Sequence, residues 1–412
     1  MVETMTGTKS AFPPHVPEEL RWDHDIDRYA AELDDPFLGA ARLHQGEPIF
    51  FASGATRGRP GWIVTPYALI EEVFTRHDLF SSVGHTDVRG LLGVDWYLNP
   101  LEIDPPEHKA YRSVLQPLFQ PKKVKELEDD VRQICEELIA PLKARKNCDF
   151  IKDFAQLFPS YVFLRLVDLP RDLLPQFLEW EDSFMRAPDI ERRIKAARAI
   201  KDYLESVISS RRENPGSDLI SFIVTTEIQS PDGSGMRRLT PDEVIGMCMT
   251  FYLGGLDTVT SSLGWHFRYL ASHPDLQQRL RSQPELIPGA VNDLLRAFGV
   301  TGTARVVTQD FEFHGVLMKK GEFVVGPPFL ASRDPKVYVD PDRIDPERNA
   351  RHLTFASGVH NCLGIHLAKR EIQLVFEIWL KNFDNIHITE GAAVKWHTSG
   401  VWGIDQLPLS WD

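Results

Sequence analysis

Phe355-Ala-Ser-Gly-Val-His-Asn-Cys-Leu-Gly364 sets one cysteine, Cys362, between two glycines, with His360 two residues before it. A helical pattern begins directly afterwards, since Ile365, Ala368, Ile372, Val375 and Trp379 recur at spacings of three and four. A sulfur at the start of a helix lies at the positive end of the macrodipole, close to unpaired backbone N–H groups. Such a position favours the thiolate and its binding to a metal. Gly358 allows a sharp turn ahead of the cysteine, and Gly364 allows the backbone to lie flat against a large group.

Working outward, the chain has 412 residues, 42% of them hydrophobic, enough for a sizeable core. A net charge of −13 argues against general nucleic-acid binding, although a local basic docking face remains compatible with it. Four cysteines, Cys135, Cys148, Cys248 and Cys362, make no disulfide framework in a chain of this length and suit a reducing cytoplasm. The N-terminal ten residues contain no apolar run, and no later segment reaches the ~18 apolar residues of a spanning helix, so no membrane segment is expected.

Residues 1–20 are polar and proline-rich and read as an extended arm, with a single domain over 21–412. Two short strands around a Gly/Pro turn are expected over 47–66, and a helical texture over about 105–285. A second β-rich patch covers about 304–326. An irregular loop follows over 331–350, and short strands close the chain over 385–410. The fold class is therefore mainly α with small β-sheets.

The second strong signal is Thr240-Pro-Asp-Glu243, a capping box with proline at the first helical position. The periodicity then continues to His273-Pro274, which predicts one helix of about 33 residues, roughly 50 Å long. Its middle reads Leu253-Gly-Gly-Leu-Asp-Thr-Val-Thr260. Two interior glycines cost about 1 kcal/mol each relative to alanine, and Asp257 and Thr258 are also averse to helix. Weak positions at the centre of a long helix point to function or to close packing. Thr258 can donate to the carbonyl of Gly254 and loosen the ladder there, and Asp257 is a carboxylate able to move protons. His108 and Arg112, four apart after Asp104-Pro-Pro-Glu, share one helix face.

The pattern Phe-x-x-Gly-x-His-x-Cys-x-Gly resembles the haem-binding signature of cytochrome P-450 monooxygenases. The segment Gly-Gly-Leu-Asp-Thr-Val is similar to the oxygen-binding helix of the camphor 5-monooxygenase family, of the soluble bacterial class I type. The resemblance runs from near residue 20 to the C-terminus. It implies the P-450 fold, with a long central helix over haem b and a proximal loop carrying the cysteine ligand. It further implies that Cys362 is the axial iron ligand, with Phe355 and Gly364 against the cofactor, and that His360, His108, Arg112 and Arg305 reach the haem propionates. By the same resemblance, Asp257 and Thr258 deliver the protons that cleave the O–O bond of O2, with Arg186 as a candidate partner of Asp257. Electrons are expected from a [2Fe–2S] ferredoxin served by an NADH-dependent reductase, docking near Lys109 and Arg112. A monomer is the family default.

The substrate pocket implied by alignment is lined by Trp96, Tyr97, Leu253, Thr301, Val401 and Trp402. Trp96 stands where the camphor enzyme has a ketone-binding tyrosine, which suggests a terpenoid or norisoprenoid ketone of the ionone type in preference to camphor. Asp293-Leu-Leu-Arg296 replaces the usual Glu-x-x-Arg and is one methylene shorter in reach, leaving a surface ion pair as the alternative. Two other classes of function are an H2O2-dependent peroxygenase and a non-catalytic haem-thiolate sensor. The acid–threonine pair argues against the first.

Overall fold

The computed structural model describes residues 12–33, 35–230 and 232–412. Helices dominate, and several small sheets flank them, as the sequence leads one to expect. Strands Ile49–Thr56 and Arg59–Val64 form the expected hairpin, turning at Arg57 and Gly58, which both have positive φ. Both strands are buried over most of their length, which plants Phe51, Trp62 and Ile63 in the core. The hairpin belongs to a six-stranded sheet ordered Arg21–Asp25, Ile49–Thr56, Arg59–Val64, Phe323–Gly326, Thr303–Val307, Phe80–Ser81. Phe323–Gly326 runs parallel to Arg59–Val64, with Phe323 opposite Gly61, and antiparallel to Thr303–Val307. The last pairing places Arg305 on Thr303–Val307, one strand in from the edge strand Phe80–Ser81.

The C-terminal strands also form. His387–Ile388, Pro408–Ser410 and Asn147–Asp149 make one small sheet, and Lys395–His397 pairs with Gly403–Gln406 in a hairpin. An aromatic cluster anchors helix Ile365–Asn382. The Trp379 ring lies 5.0 Å from Phe150, 5.2 Å from Phe154 and 4.7 Å from Phe383, at the spacing of productive aromatic pairs. That packing fixes the direction in which the helix start presents Cys362.

Where it is described, the N-terminal arm packs against the rest of the chain, and the single central helix is the expectation that needs correction. Val16 is buried, Phe12 lies edge-on to Phe51, and Arg21 donates to the Val16 carbonyl. Residues 1–11 of that arm lie outside the described residues. The central helix is two helices, Pro241–Gly255 and Asp257–Ala271, separated at Leu256. The capping box forms as expected, with Thr240 and Glu243 bonding each other's backbone N–H. The break follows from what lies ahead of it. Two glycines lower helix stability, and the hydroxyls of Thr250, Thr258, Thr260 and Ser262 each donate to the carbonyl four residues back, which bends and loosens a helix.

The Asp293 network is likewise a correction. It is buried, not a surface pair: Asp293 is 2% and Arg296 0% exposed. Arg296 Nε donates to Asp293 Oδ1 at 2.5 Å, Arg348 Nε to Oδ2 at 3.2 Å, and the Asp345 N–H to Oδ2 at 2.7 Å. The shorter side chain reaches because the loop comes to it. A Cβ at Gly289, on the same helix, would sit 1.9 Å from the Pro346 carbonyl oxygen, so only glycine permits that approach.

Candidate active site

The cysteine loop closes on itself before the helix starts. The Cys362 N–H donates to the Phe355 carbonyl at 2.9 Å, and the Asn361 side-chain amide also bonds that carbonyl, at 3.2 Å. Gly358 has φ +74°, and a Cβ there would lie 3.0 Å from the Phe74 carbonyl, so the turn requires glycine. Cys135, Cys148 and Cys248 are buried thiols whose pKa values burial pushes up, whereas the Cys362 sulfur opens onto accessible space while set deep among protein atoms. Burial pushes the Cys362 thiol up too, against the Gly364 and Ile365 backbone N–H groups and Arg112, which pull it down. The backbone N–H groups at the helix start and Arg112 are thus the features of this site that favour the thiolate, and a bound cation would favour it further.

Cationic side chains gather around the same space. Arg305 is 2% exposed, yet its guanidinium contacts only the Ala304 carbonyl, at 2.8 Å, and the Phe74 ring. Burial lowers its pKa to about 10. Among the described residues no carboxylate bridges it. His108 is buried with Nε2 unpartnered, on helix His108–Leu115, where Arg112 follows one turn later. The His360 ring lies 4.6 Å from that of His108, and its Nε2 is 3.0 Å from Asp104 Oδ1. Burial pushes Asp104 up, but His360, Ser81 and the Ser82 N–H outweigh it and hold the carboxyl below its usual range. His360 is thus tied to Asp104, a link that the sequence reading passed over although Asp104 opens the His108 motif. Phe355 lies under the Lys369 ammonium, 5.7 Å from its ring centre.

Gly364 is informative because the protein gives no reason for it. Its φ is −83°, ordinary for any residue, and no protein atom lies within 4 Å of where a Cβ would stand. A group lying flat against the backbone would supply that reason.

At the helix break, Thr258 Oγ1 donates to the Gly254 carbonyl at 3.0 Å. Asp257 is 4% exposed and forms an ion pair with Arg186, the last residue of helix Leu174–Arg186. Burial pulls Arg186 down, but Asp257 and Glu181 outweigh it, so the guanidinium stays charged. Glu181, which the sequence reading did not single out, is 5% exposed, and burial, reinforced by the Asp257 charge, drives its carboxyl well above the usual range. Nothing in its sequence context marks it; only the packing of its helix against Tyr252, whose hydroxyl donates to the Phe177 carbonyl, makes it interior.

The residues expected to line the pocket divide. Thr301 and Val401 face each other as an isolated antiparallel bridge. Trp96 is buried in the apolar cluster against which Leu253 also packs. The Tyr97 ring lies 4.1 Å beneath the Arg89 guanidinium. Trp402 must be reassigned, because its ring is stacked on Phe329 at 4.1 Å and its indole N–H donates to Asp27 at 3.0 Å, which commits the side chain to the core. Its carbonyl accepts from Trp265 Nε1 at 2.9 Å, so both ends of the residue are structural.

The comparisons agree with this geometry. The family model described as Cytochrome P450 matches residues 165–395. A protein named "Probable cytochrome P450 127A1", from Sinorhizobium fredii, is 35% identical over 382 residues, 92% of this chain and 90% of its own. "Steroid C26-monooxygenase" from Mycobacterium tuberculosis is 30% identical over 320 residues, covering 75% of this chain and 84% of its own. The crystal structure of CYP101J2 superposes with a TM-score of 0.86 at 31% identity, over 98% of this chain and 100% of that one. CYP101C1 gives the same TM-score at 28% identity, again over 98% and 100%.

This chain belongs to the cytochrome P450 family. It is a P450 monooxygenase, and the cofactor of the family is haem b. The residues present fit that group: an accessible thiol at a helix start, a glycine with open space before it, and buried Arg305 and His108, neither bonded to a carboxylate among the described residues. Among the described residues no helix is long and apolar enough to cross a membrane.

Proposed function

We propose that this chain hydroxylates a compact apolar terpenoid or norisoprenoid, an ionone-type ketone in preference to camphor, with electrons from a [2Fe–2S] ferredoxin and its NADH-dependent reductase. Bound haem iron supplies the oxygen chemistry, and a thiolate ligand favours O–O cleavage. The chain's own residues do the rest. Cys362 would hold the iron, Phe355 and Gly364 would border the macrocycle, and His108, Arg112, Arg305 and His360 would bind its two carboxylates. Asp257 takes up a proton and passes it on beside the opened ladder at Gly254, and Thr258 relays it. The observation that supports this reading is the Thr258–Gly254 bond next to a buried, ion-paired Asp257, at the break between the two central helices. A peroxide-driven enzyme has no use for it.

The substrate assignment rests on Trp96. Indole has only an N–H donor and a larger face than phenol, so shape and apolar contact outweigh a polar anchor. Leu253, Thr301 and Val401 supply further apolar wall. Lys109, which is exposed, and Arg112 offer the cationic docking face for an acidic ferredoxin. The free cysteines suit a reducing cytoplasm.

The test is an optical titration of the ferric holoenzyme with camphor, α- and β-ionone, linalool and a fatty acid. A fitting guest displaces water from the iron and moves the Soret band towards its high-spin position. The largest shift, at the lowest concentration, is expected with an ionone. Camphor binding as tightly as the ionones contradicts the assignment.

A further inference from the structure

Asp257 does not meet Arg186 alone. The Arg186 Nε donates to His397 Nε2 at 3.1 Å, and His397 Nδ1 lies 2.7 Å from Asp405 Oδ1. A donor on Arg186 requires a lone pair on Nε2, so the imidazole is neutral with its hydrogen on Nδ1, pointing to Asp405. The ring lies against its strand partner Gly403, where a Cβ would stand 2.7 Å from His397 Cε1, so glycine there makes room for the imidazole. His397 is thus a wedge that sets the direction of the Arg186 fork. The other end of the fork meets Asp257, whose Oδ1 also accepts from Ser261 at 3.4 Å, and whose Oδ2 is buried without a partner.

We propose that His397 is a positioning residue for the oxygen chemistry: neutral, it holds Arg186 on Asp257, and on taking up a proton it lets Arg186 go. The inference rests on Asp257 being the proton carrier. Protonated His397 is a donor at both nitrogens, so its bond from Arg186 is lost and two cations face each other. Arg186 has somewhere to go, since Asp182, one turn back and 58% exposed, already lies 3.7 Å from its Nη1. Buried Asp257, freed of its cation, then takes a proton, with the unpartnered Oδ2 the open position. The groups facing this switch are Asp405 on the hairpin, Glu181, Asp182 and Arg186 on helix Leu174–Arg186, and Asp257 on the helix after the break. Burial, reinforced by the Asp257 charge, drives the Glu181 carboxyl well above its usual range.

The experiment compares wild-type holoenzyme with H397Q, H397F and D257N. Glutamine keeps an acceptor for Arg186 Nε but cannot become a cation, and phenylalanine removes the acceptor. Product formation, with the panel compound that gives the largest Soret shift, is followed from about pH 8 to about pH 6, the range over which histidine changes charge. The wild-type rate should rise about tenfold towards acid, the weight of one hydrogen bond to a charged group. H397Q should be flat, and H397F flat at a rate about tenfold above H397Q. Independently of turnover, 15N shifts of His397 in the CO-bound ferrous holoenzyme should show a bare Nε2 and a protonated Nδ1 at the alkaline end. H397Q following the wild-type curve, or Nε2 protonated at about pH 8, overturns the proposal. D257N separates the two levels: a rate unaffected by it refutes Asp257 as carrier, while a collapsed rate with an H397Q profile like wild type refutes His397 alone.

Discussion

Gly364 shows how one residue reports on a group larger than itself. Its backbone angles suit alanine, and its missing Cβ would touch no protein atom. Gly364→Ala should therefore raise the stability of haem-free protein by about 0.4–1 kcal/mol through the unfolded chain, while lowering haem retention. Thermal unfolding of the apoprotein and haem transfer to apomyoglobin measure the two effects, and a variant that keeps haem as well as wild type contradicts the cradle. Cys362, Gly364, His108, Asp257 and Thr258 stood out in the sequence because they sit in compact local patterns, and the roles given to them come from the resemblance of those patterns to the P-450 family. Glu181 and Asp104 did not, since their roles depend on partners far along the chain: Asp104 bonds His360, and Glu181 is interior only through the packing of its helix. Trp402 misled for a related reason. Position in an alignment says which backbone lies near a pocket, but the indole turned to Phe329 and Asp27 instead.

At the scale of elements, periodicity located the strands at 47–66 and 304–326 and both ends of the central helix. It could not register the interruption at Leu256, because an interruption of one residue leaves the apolar spacing on either side intact. The signal was present as helix-averse composition, which reads as cost without saying where the ladder yields. The Asp293 network was underestimated on side-chain length, as the compensating approach of the 345–348 loop over Gly289 is visible only in three dimensions. Because Arg296 and Arg348 both depend on that carboxylate inside the protein, Asp293→Ala should cost about 3–5 kcal/mol. The guanidinium midpoint of the holoenzyme is the check, and a loss below about 1 kcal/mol, the range of exposed pairs, contradicts the buried network.

Over the whole molecule, the acidic total of −13 coexists with a buried cationic lining at the haem-facing space, so net charge describes solubility and leaves the site undetermined. One interior carboxyl shapes the response to pH. Burial pushes Glu371, on the helix that follows Cys362, up to about 8. Below the ordinary glutamate range both folded and unfolded chains hold this proton. Between there and about pH 8 the unfolded chain loses it first, so stability falls as pH rises. Glu371→Gln should flatten that slope and raise stability at about pH 8 by up to about 3–5 kcal/mol; an unchanged pH dependence of thermal unfolding contradicts it. The central claim, that this fold presents Cys362 as the thiolate ligand of haem iron, is tested most directly by the CO spectrum of the reduced holoenzyme beside that of Cys362→His. Wild type should show the long-wavelength Soret band of a thiolate-ligated ferrous–CO haem, and Cys362→His should show the shorter-wavelength band of imidazole ligation. A wild-type spectrum already of the imidazole kind, or one that the substitution leaves unchanged, contradicts the claim.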